Sequence, residues 1–343
     1  MKKLYEIIRP LLFRWPPERV HHLVLGLLDL QAKVVNTYPK WARQTPVQVS
    51  GLSFPNPVGL AAGFDNHAAH LPALFHLGFG FIEVGAITPK AQPGNPKPRL
   101  FRLPDQQSLL NRMGFCNQGV DYLVENLKKR PAGQIVGVNI GKNTNTALED
   151  ALQDYLYCFN KAAPFCDYVT INISSPNTVG LRELQHGDYC RQLLAGLKKA
   201  QRDYADRSQR YVPLWIKVAP DLSNEEIKVL ADIFCTQKMD AIVTTNTTIN
   251  RDNVPVEWRD QPGGISGRAL SARADAVLTA FYSALGEAIP LVGVGGIMSL
   301  DDAKRKCAAG AKLLQLYSGL IYEGPGLVKE IVTGLSSSPK AGI

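Results

Sequence analysis

Eight short apolar runs rich in β-branched residues recur along this chain: Val58–Gly63, Phe81–Ile87, Ile135–Ile140, Tyr168–Ile173, Leu214–Val218, Ala241–Thr245, Leu291–Val294 and Leu313–Tyr317. Continuous hydrophobicity over so few residues is the pattern of strands buried on both faces, as in a parallel sheet. Stretches of helical pattern, such as Asp188–Asp203 and Asn224–Thr236, separate most of them. Eight strands alternating with helices predict an α/β fold, a (β/α)8 TIM barrel, with a doubly wound sheet as the alternative. The 343 residues suffice for a barrel with additions. Just before the first run, Val47–Val49 and Leu52–Phe54 flank a Ser-Gly turn and predict a small hairpin closing the barrel floor. Two connections exceed what a plain barrel needs. Residues 88–118 carry prolines 89, 93, 96, 98 and 104, and residues 246–270 carry Gly263, Gly264 and Gly267. Long irregular connections of this kind are usually lids or binding loops.

The first 42 residues follow another pattern. Leu4, Ile7, Ile8, Leu11 and Leu12 fall on one face of a helix. Trp15-Pro16-Pro17 ends it, and a proline is well placed to start the next. There Val20, Leu23, Val24, Leu27 and Leu28 repeat the stripe, widened by Leu25 and Leu30. Two amphipathic helices with Lys2, Lys3, Arg9, Arg14 and Arg19 around them fit a hairpin lying on a membrane. They fit a helical pair packed on the main domain equally well. No apolar run is long enough to span a bilayer, and Glu6, Arg9 and Arg14 interrupt any signal-peptide core. The expectation is a cytosolic protein or one bound to the membrane from the cytosolic side. The chain divides into a hairpin at 1–42, a barrel at 43–337 and a tail at 338–343.

Barrels place their chemistry at the carboxyl ends of the strands. The fourth run ends in Asn172-Ile173-Ser174-Ser175-Pro176-Asn177-Thr178. Turn chemistry around Pro176, with Asn172 a satisfied core amide, would explain this segment alone. The other ends argue for more. Asn139 and Thr245-Asn246-Thr247 stand at equivalent positions, with Asn111 and Asn177 on loops, and such a set suits a planar ring with alternating N–H and C=O groups. Lys217, inside an apolar strand, is costly to bury unless it faces an anion or a carbonyl-rich ring. Ala61-Ala62-Gly63 lets a flat ligand approach the backbone. The last two strands end in Gly295-Gly296 and Tyr317-Ser318-Gly319, where barrels commonly bind phosphate. No GxGxxG opens a βαβ unit, so a flavin mononucleotide (FMN) fits better than a dinucleotide. Taking hydrogen from a carbon beside a carbonyl also needs a base, and Ser175 is placed to serve once its surroundings activate it. Thr178 can then relay the proton to water. Histidines 21, 22, 67, 70, 76 and 186 lie away from the strand ends, so neither a Ser–His triad nor a metal site is expected.

The net charge of +8 suits anionic ligands or an anionic membrane surface. Lys and Arg are dispersed, with no basic helix interleaved with aromatics, which disfavours nucleic acid. Six cysteines without CxxC spacing fit reduced thiols rather than a disulfide framework.

The segments GLAAGFD, QPGNPKPRLFRL, NRMGF, GVNIGKN, INISSPNT, KVAPDL, TTNTT, GGISGR, GVGGI and QLYSG together closely resemble the dihydroorotate dehydrogenase family. The match is in the right order over essentially the whole chain. The amino-terminal hairpin, and serine at 175 where soluble classes carry cysteine, resemble the membrane-associated, quinone-using class. The resemblance implies oxidation of (S)-dihydroorotate to orotate in pyrimidine synthesis, with Ser175 taking the C5 proton while the C6 hydride passes to FMN. It implies flavin contacts from Ala62, Gly63, Phe64, Asp65, Asn66, Ala86, Asn139, Asn172, Lys217, Thr245, Gly267, Gly296, Tyr317 and Ser318. Substrate contacts are implied for Asn66, Asn111, Arg112, Met113, Gly114, Phe115, Asn172, Asn177, Asn246 and Thr247, with Ser175 and Thr178 catalytic. Quinone would enter near His21 and Arg102. The implied protein is a monomer, peripheral on the cytoplasmic face of the cell membrane. Two positions depart from the family. Asn66 stands where a lysine usually contacts flavin and the orotate carboxylate, and Ala86 where a hydroxyl is common. A charge-assisted hydrogen bond is worth about 1.5–3 kcal/mol, so either a loop Arg or Lys compensates or substrate binds weakly. Three other readings compete: a soluble oxidoreductase with another acceptor, a flavin-binding membrane-surface protein without catalysis, and a purely structural barrel.

Overall fold

A computed structural model describes residues 2–34 and 37–337. The eight apolar runs pair as parallel strands in chain order, and the last closes on the first through Leu316 opposite Leu60. Closure excludes the doubly wound sheet. The observed strands are Val58–Leu60, Phe81–Ile87, Ile135–Ile140, Tyr168–Asn172, Leu214–Val218, Ala241–Thr244, Leu291–Val294 and Ala311–Leu316. Their ends differ from expectation by a few residues at most, because the polar strand ends leave the ladder early to face the barrel mouth.

Outward side chains pack under the helices, while the lower interior is filled by Phe81, Tyr168, Trp215, Val243, Val292 and Leu313. Trp215 stacks on Tyr168 with ring centroids 3.7 Å apart. The expected hairpin forms between Val47–Val49 and Leu52–Phe54, with Ser50 and Gly51 at positive φ in the turn. It drives Phe54 against Phe81 and Trp215, and the Trp215 indole donates to Ser50 Oγ. An aromatic plug therefore closes the floor, and only the carboxyl end stays open.

The two long connections are not irregular throughout. Leu100–Leu103, Ser108–Asn111 and Gly264–Gly267 form a three-stranded antiparallel sheet. Prolines mask the first pair in the sequence, and the third strand comes from far along the chain, pairing Gly264 with Asn111.

The amino-terminal helices α1 (Lys2–Leu12) and α2 (Pro17–Val34) dock on the barrel by only part of their apolar stripe. From α1, Tyr5 Oη donates to the Ile321 carbonyl and Arg9 to the Tyr322 carbonyl, and Phe13 beyond it packs edge-on against Tyr322. From α2, Val20 and Leu25 are buried, Glu18 pairs with Arg99 and Asp29 with His70. The rest of the stripe stays outside: Ile7 is 73% exposed, Leu11 58% and Leu27 56%, with Trp15 between the helices at 60%. The hairpin thus packs on the domain by one edge and leaves an apolar face uncovered. The cysteines are free thiols. The tail at 338–343 lies outside the described residues.

The aromatic plug depends on glycines. A Cβ at Gly137 would lie 2.0 Å from the Tyr168 ring, whereas one at Gly26 would meet nothing within 4 Å. Gly137→Ala is expected to cost about 1–3 kcal/mol by overpacking. Gly26→Ala, in an exposed helix, should gain about 0.5–1 kcal/mol. Urea denaturation of the two variants checks both signs.

Candidate active site

The strand ends open into one chamber roofed by the three-stranded sheet. Of the residues implied for the flavin, Ala62, Gly63, Asn66, Ala86, Asn172, Lys217, Thr245, Gly267, Gly296, Tyr317 and Ser318 line it. Of those implied for substrate, Asn111, Met113, Gly114, Phe115, Asn177, Asn246 and Thr247 also line it, together with Ser175. Asn139 and Thr178 are buried without lining it. Phe64, Asp65 and Arg112 are not brought into the chamber. Phe64 packs edge-on against Tyr317, and the Asp65 carboxylate accepts from the backbone of His67, Ala69 and His70, holding that turn. Arg112 lies 4.9 Å over the Phe101 ring and donates to the Pro98 carbonyl and the Gln261 side chain. A motif read along the sequence does not say which of its side chains turn inward.

The asparagines are wired to one another. Asn172 Nδ2 donates to Asn139 Oδ1 at 2.9 Å, and Asn246 Nδ2 donates to Asn172 Oδ1 at 3.3 Å and to Ser174 Oγ at 3.1 Å. Asn177 Nδ2 donates to Asn111 Oδ1 at 3.0 Å. The wiring ends on Glu83, which sequence reasoning passed over. Glu83 is fully buried and accepts from Asn139 at 2.8 Å, Thr170 at 2.9 Å, Gln315 at 2.9 Å and Tyr168 at 3.3 Å. The missed signal was a charge inside an apolar strand, the same signal that singled out Lys217.

Lys217 is buried and makes no hydrogen bond or ion pair with any described residue. Burial pulls its pKa below the ordinary lysine value, while the Glu83 charge pulls it back up. An amine so placed needs an acceptor from a ligand. Beside it runs a wall without side chains: Gly63, Gly267, Gly295 and Gly296 all have positive φ, and a Cβ at Gly296 would fall 2.4 Å from Ser271. A flat wall, an unpartnered buried amine and a glycine cradle fit a flavin. Among the described residues Lys217 is the only lysine or arginine lining the chamber. Asn66 turns its amide to the Cys116 carbonyl at 3.2 Å, so no loop cation replaces the missing lysine there.

Ser175 is buried at the chamber wall, where its Oγ accepts from the Asn177 N–H at 3.2 Å. Thr178 Oγ1 is buried with no partner among the described residues. Among the described residues no histidine lines the chamber. Four histidines (21, 22, 67 and 70) line a second cavity of about 730 Å³ between the amino-terminal helices and the barrel. His21 and Arg102 both face it. Burial, with His22 beside it, pulls the His21 imidazole down to about 4, so it is neutral near pH 7. Arg102 is tied to the Phe13 and Trp15 carbonyls and lies 4.5 Å over the Phe13 ring. Met113, Cys116, Leu109 and Tyr317 are walls of both cavities, so the tunnel ends on the chamber.

A family model described as dihydroorotate dehydrogenase matches residues 45–338. A protein of Idiomarina loihiensis named dihydroorotate dehydrogenase (quinone) is 49% identical over 334 residues, which is 97% of this chain and 100% of that one. One of Nitrosomonas eutropha with the same name is 50% identical over 334 residues, covering 97% and 98% of the two chains. The crystal structure of DHODH in complex with ferulenol from Eimeria tenella matches with a TM-score of 0.86 at 35% identity, over 93% of this chain and 90% of that one. Sequence kinship over nearly the full length thus meets a chamber and tunnel that share a wall, and the chain belongs to the dihydroorotate dehydrogenase family, in its quinone-dependent branch.

Proposed function

We propose that this chain oxidises (S)-dihydroorotate to orotate and passes the electrons to a quinone, as a step of pyrimidine synthesis. The observation that carries the reading is the shared wall. A chamber lined with amides and a candidate base meets an apolar tunnel that runs under helices α1 and α2. The family is flavin-dependent, and we take the flavin to be FMN, held by Ala62, Gly63, Lys217, Thr245, Gly267, Gly296, Tyr317 and Ser318. Once bound, it supplies a hydride acceptor for substrate C6 and a store for two electrons until the quinone takes them.

The chain's own residues do the rest. Asn111, Asn172, Asn177 and Asn246 offer donors and acceptors to the amide edges of the substrate ring. Ser175 Oγ takes the C5 proton, and Thr178, whose hydroxyl lacks a partner among the described residues, is the next holder of that proton. Lys217 would hold the polar edge of the flavin. The three-stranded sheet screens the chamber from water. His21, neutral near pH 7, and Arg102 flank the quinone path. We take the protein to act as a monomer.

We assign residues 1–42 to membrane association and 43–337 to the barrel, with the protein peripheral on the cytoplasmic face. The support is the uncovered apolar face of α1 and α2 and the positive charge. No described helix is long and apolar enough to cross a membrane.

The uncompensated Asn66 favours a second reading, flavin binding with catalysis lost. An anaerobic absorbance spectrum separates the two. Dihydroorotate is expected to bleach the flavin band and a soluble quinone to restore it; a band that stays unbleached at high substrate would instead support the second reading. Ser175→Ala is expected to slow bleaching by about 10²–10⁴-fold with flavin still bound. For the membrane assignment, Ile7→Glu with Leu11→Glu is expected to weaken binding to vesicles containing anionic lipid by at least about tenfold. Turnover with a soluble quinone should hold within about twofold.

A further inference from the structure

Among the buried groups that the mechanism above leaves unused, Glu83 is the one most tightly surrounded. It belongs to an inward layer of the barrel shared with Thr170 and Gln315, from the second, fourth and eighth strands. We propose that Glu83 is a positioning residue whose acceptor-only carboxylate sets the direction of three asparagine amides in series, and so the donor–acceptor pattern offered to the substrate. The inference rests on the function proposed above.

The argument follows from what each group can donate. A carboxylate only accepts, so Asn139 must turn its Nδ2 towards Glu83 and its Oδ1 away. Asn172 must then give its Nδ2 to that oxygen, which leaves its own Oδ1 to accept on its other side. Asn246 gives its Nδ2 to that oxygen in turn, and its Oδ1 accepts from the Thr247 N–H. Asn172 is also held from the other end, because the Ser174 N–H and Oγ both donate to its Oδ1. The two ends agree only while position 83 is a pure acceptor. Asn172 and Asn246 line the chamber, so the agreement reaches the ligand.

Glu83→Gln keeps the size and breaks the agreement. Thr170, Gln315 and Tyr168 all donate to one oxygen of Glu83; with its carbonyl kept there, the substituted side chain turns its NH2 to Asn139. Asn139 then turns over, and its Nδ2 meets the Nδ2 of an Asn172 that Ser174 still holds. Adding Asn139→Asp repairs this. The carboxylate so introduced accepts from the NH2 below it and from Asn172 above, and everything beyond it regains its direction.

The experiment uses the flavin-loaded enzyme and measures the orotate dissociation constant from the shift of the flavin band. It is run in wild type, Glu83→Gln and Glu83→Gln/Asn139→Asp. Flavin content, melting temperature and flavin potential are recorded alongside. Glu83→Gln is expected to keep its flavin and bind orotate about tenfold or more weakly, and the double variant to return within about threefold of wild type. Rescue by a second substitution in the core is something a merely structural role would not produce. If Glu83→Gln does not fold, the double variant decides alone by the same threefold margin. Unchanged orotate binding in Glu83→Gln, or a double variant still about tenfold weak, overturns the inference. So does a change confined to the flavin potential, which would assign Glu83 to Lys217 alone. No orotate response in wild type overturns the substrate reading and this inference with it.

Discussion

A barrel interior has to be filled, and how this one is filled sets everything above it. The lower half is packed with Phe54, Phe81, Tyr168 and Trp215, in contact with one another and open to nothing. Aromatic rings deliver a large buried apolar area in few residues, and they fit here because Gly59 and Gly137 yield the space of a side chain. With the floor sealed and stable, the next layer can be polar. Glu83 and Lys217, each costly to bury, sit on top of that plug rather than in it. Glu83 is compensated within the protein by four donors. Lys217 has no partner among the described residues. The barrel axis is thus a gradient from apolar, through internally satisfied polar, to polar groups that wait for a partner.

The amino-terminal helices show a similar division of labour on the outside. A helix pair that buried its whole apolar stripe would gain more from burial, but it would leave no space beneath and no apolar face outward. Docking through the Tyr5 and Arg9 hydrogen bonds, the Phe13 contact and the Glu18–Arg99 pair gives both. The cavity under α1 and α2 follows from that choice of edge.

How legible this was from the residues depended on the range of the interaction. The eight strands could be read because each is a continuous apolar run whose burial needs no knowledge of its neighbour. The chamber could be read because polar residues recur at equivalent strand ends, and Asn172, Lys217 and Asn246 do meet there. What escaped was long-range. The sheet over the mouth joins Ser108–Asn111 to Gly264–Gly267 across the chain. Glu83 becomes intelligible only when Asn139, Thr170 and Gln315 converge on it. Arg112 was placed in the site by its motif and lies outside it on Phe101, because the direction of a loop side chain is decided by tertiary contacts. The stripe on α1 and α2 was correctly located, but pattern alone could not say whether a barrel or a membrane covers it.

The substitution at position 66 joins these threads. Where a lysine would hold a substrate carboxylate by charge, this chain has an amide already turned to the Cys116 carbonyl, and among the described residues no other cation but Lys217 lines the chamber. Positive charge across the protein as a whole does not replace a contact inside a water-excluded site, because its field is screened over roughly a Debye length of about 8–10 Å. On the proposed reading, recognition of the substrate therefore falls more heavily on the amide array. Amides discriminate by direction, an oxygen here and an N–H there, and a flipped amide repels what the correct one binds. A chain that relies on amides rather than charge needs them pinned, and the pinning comes from the buried carboxylate at the foot of the array.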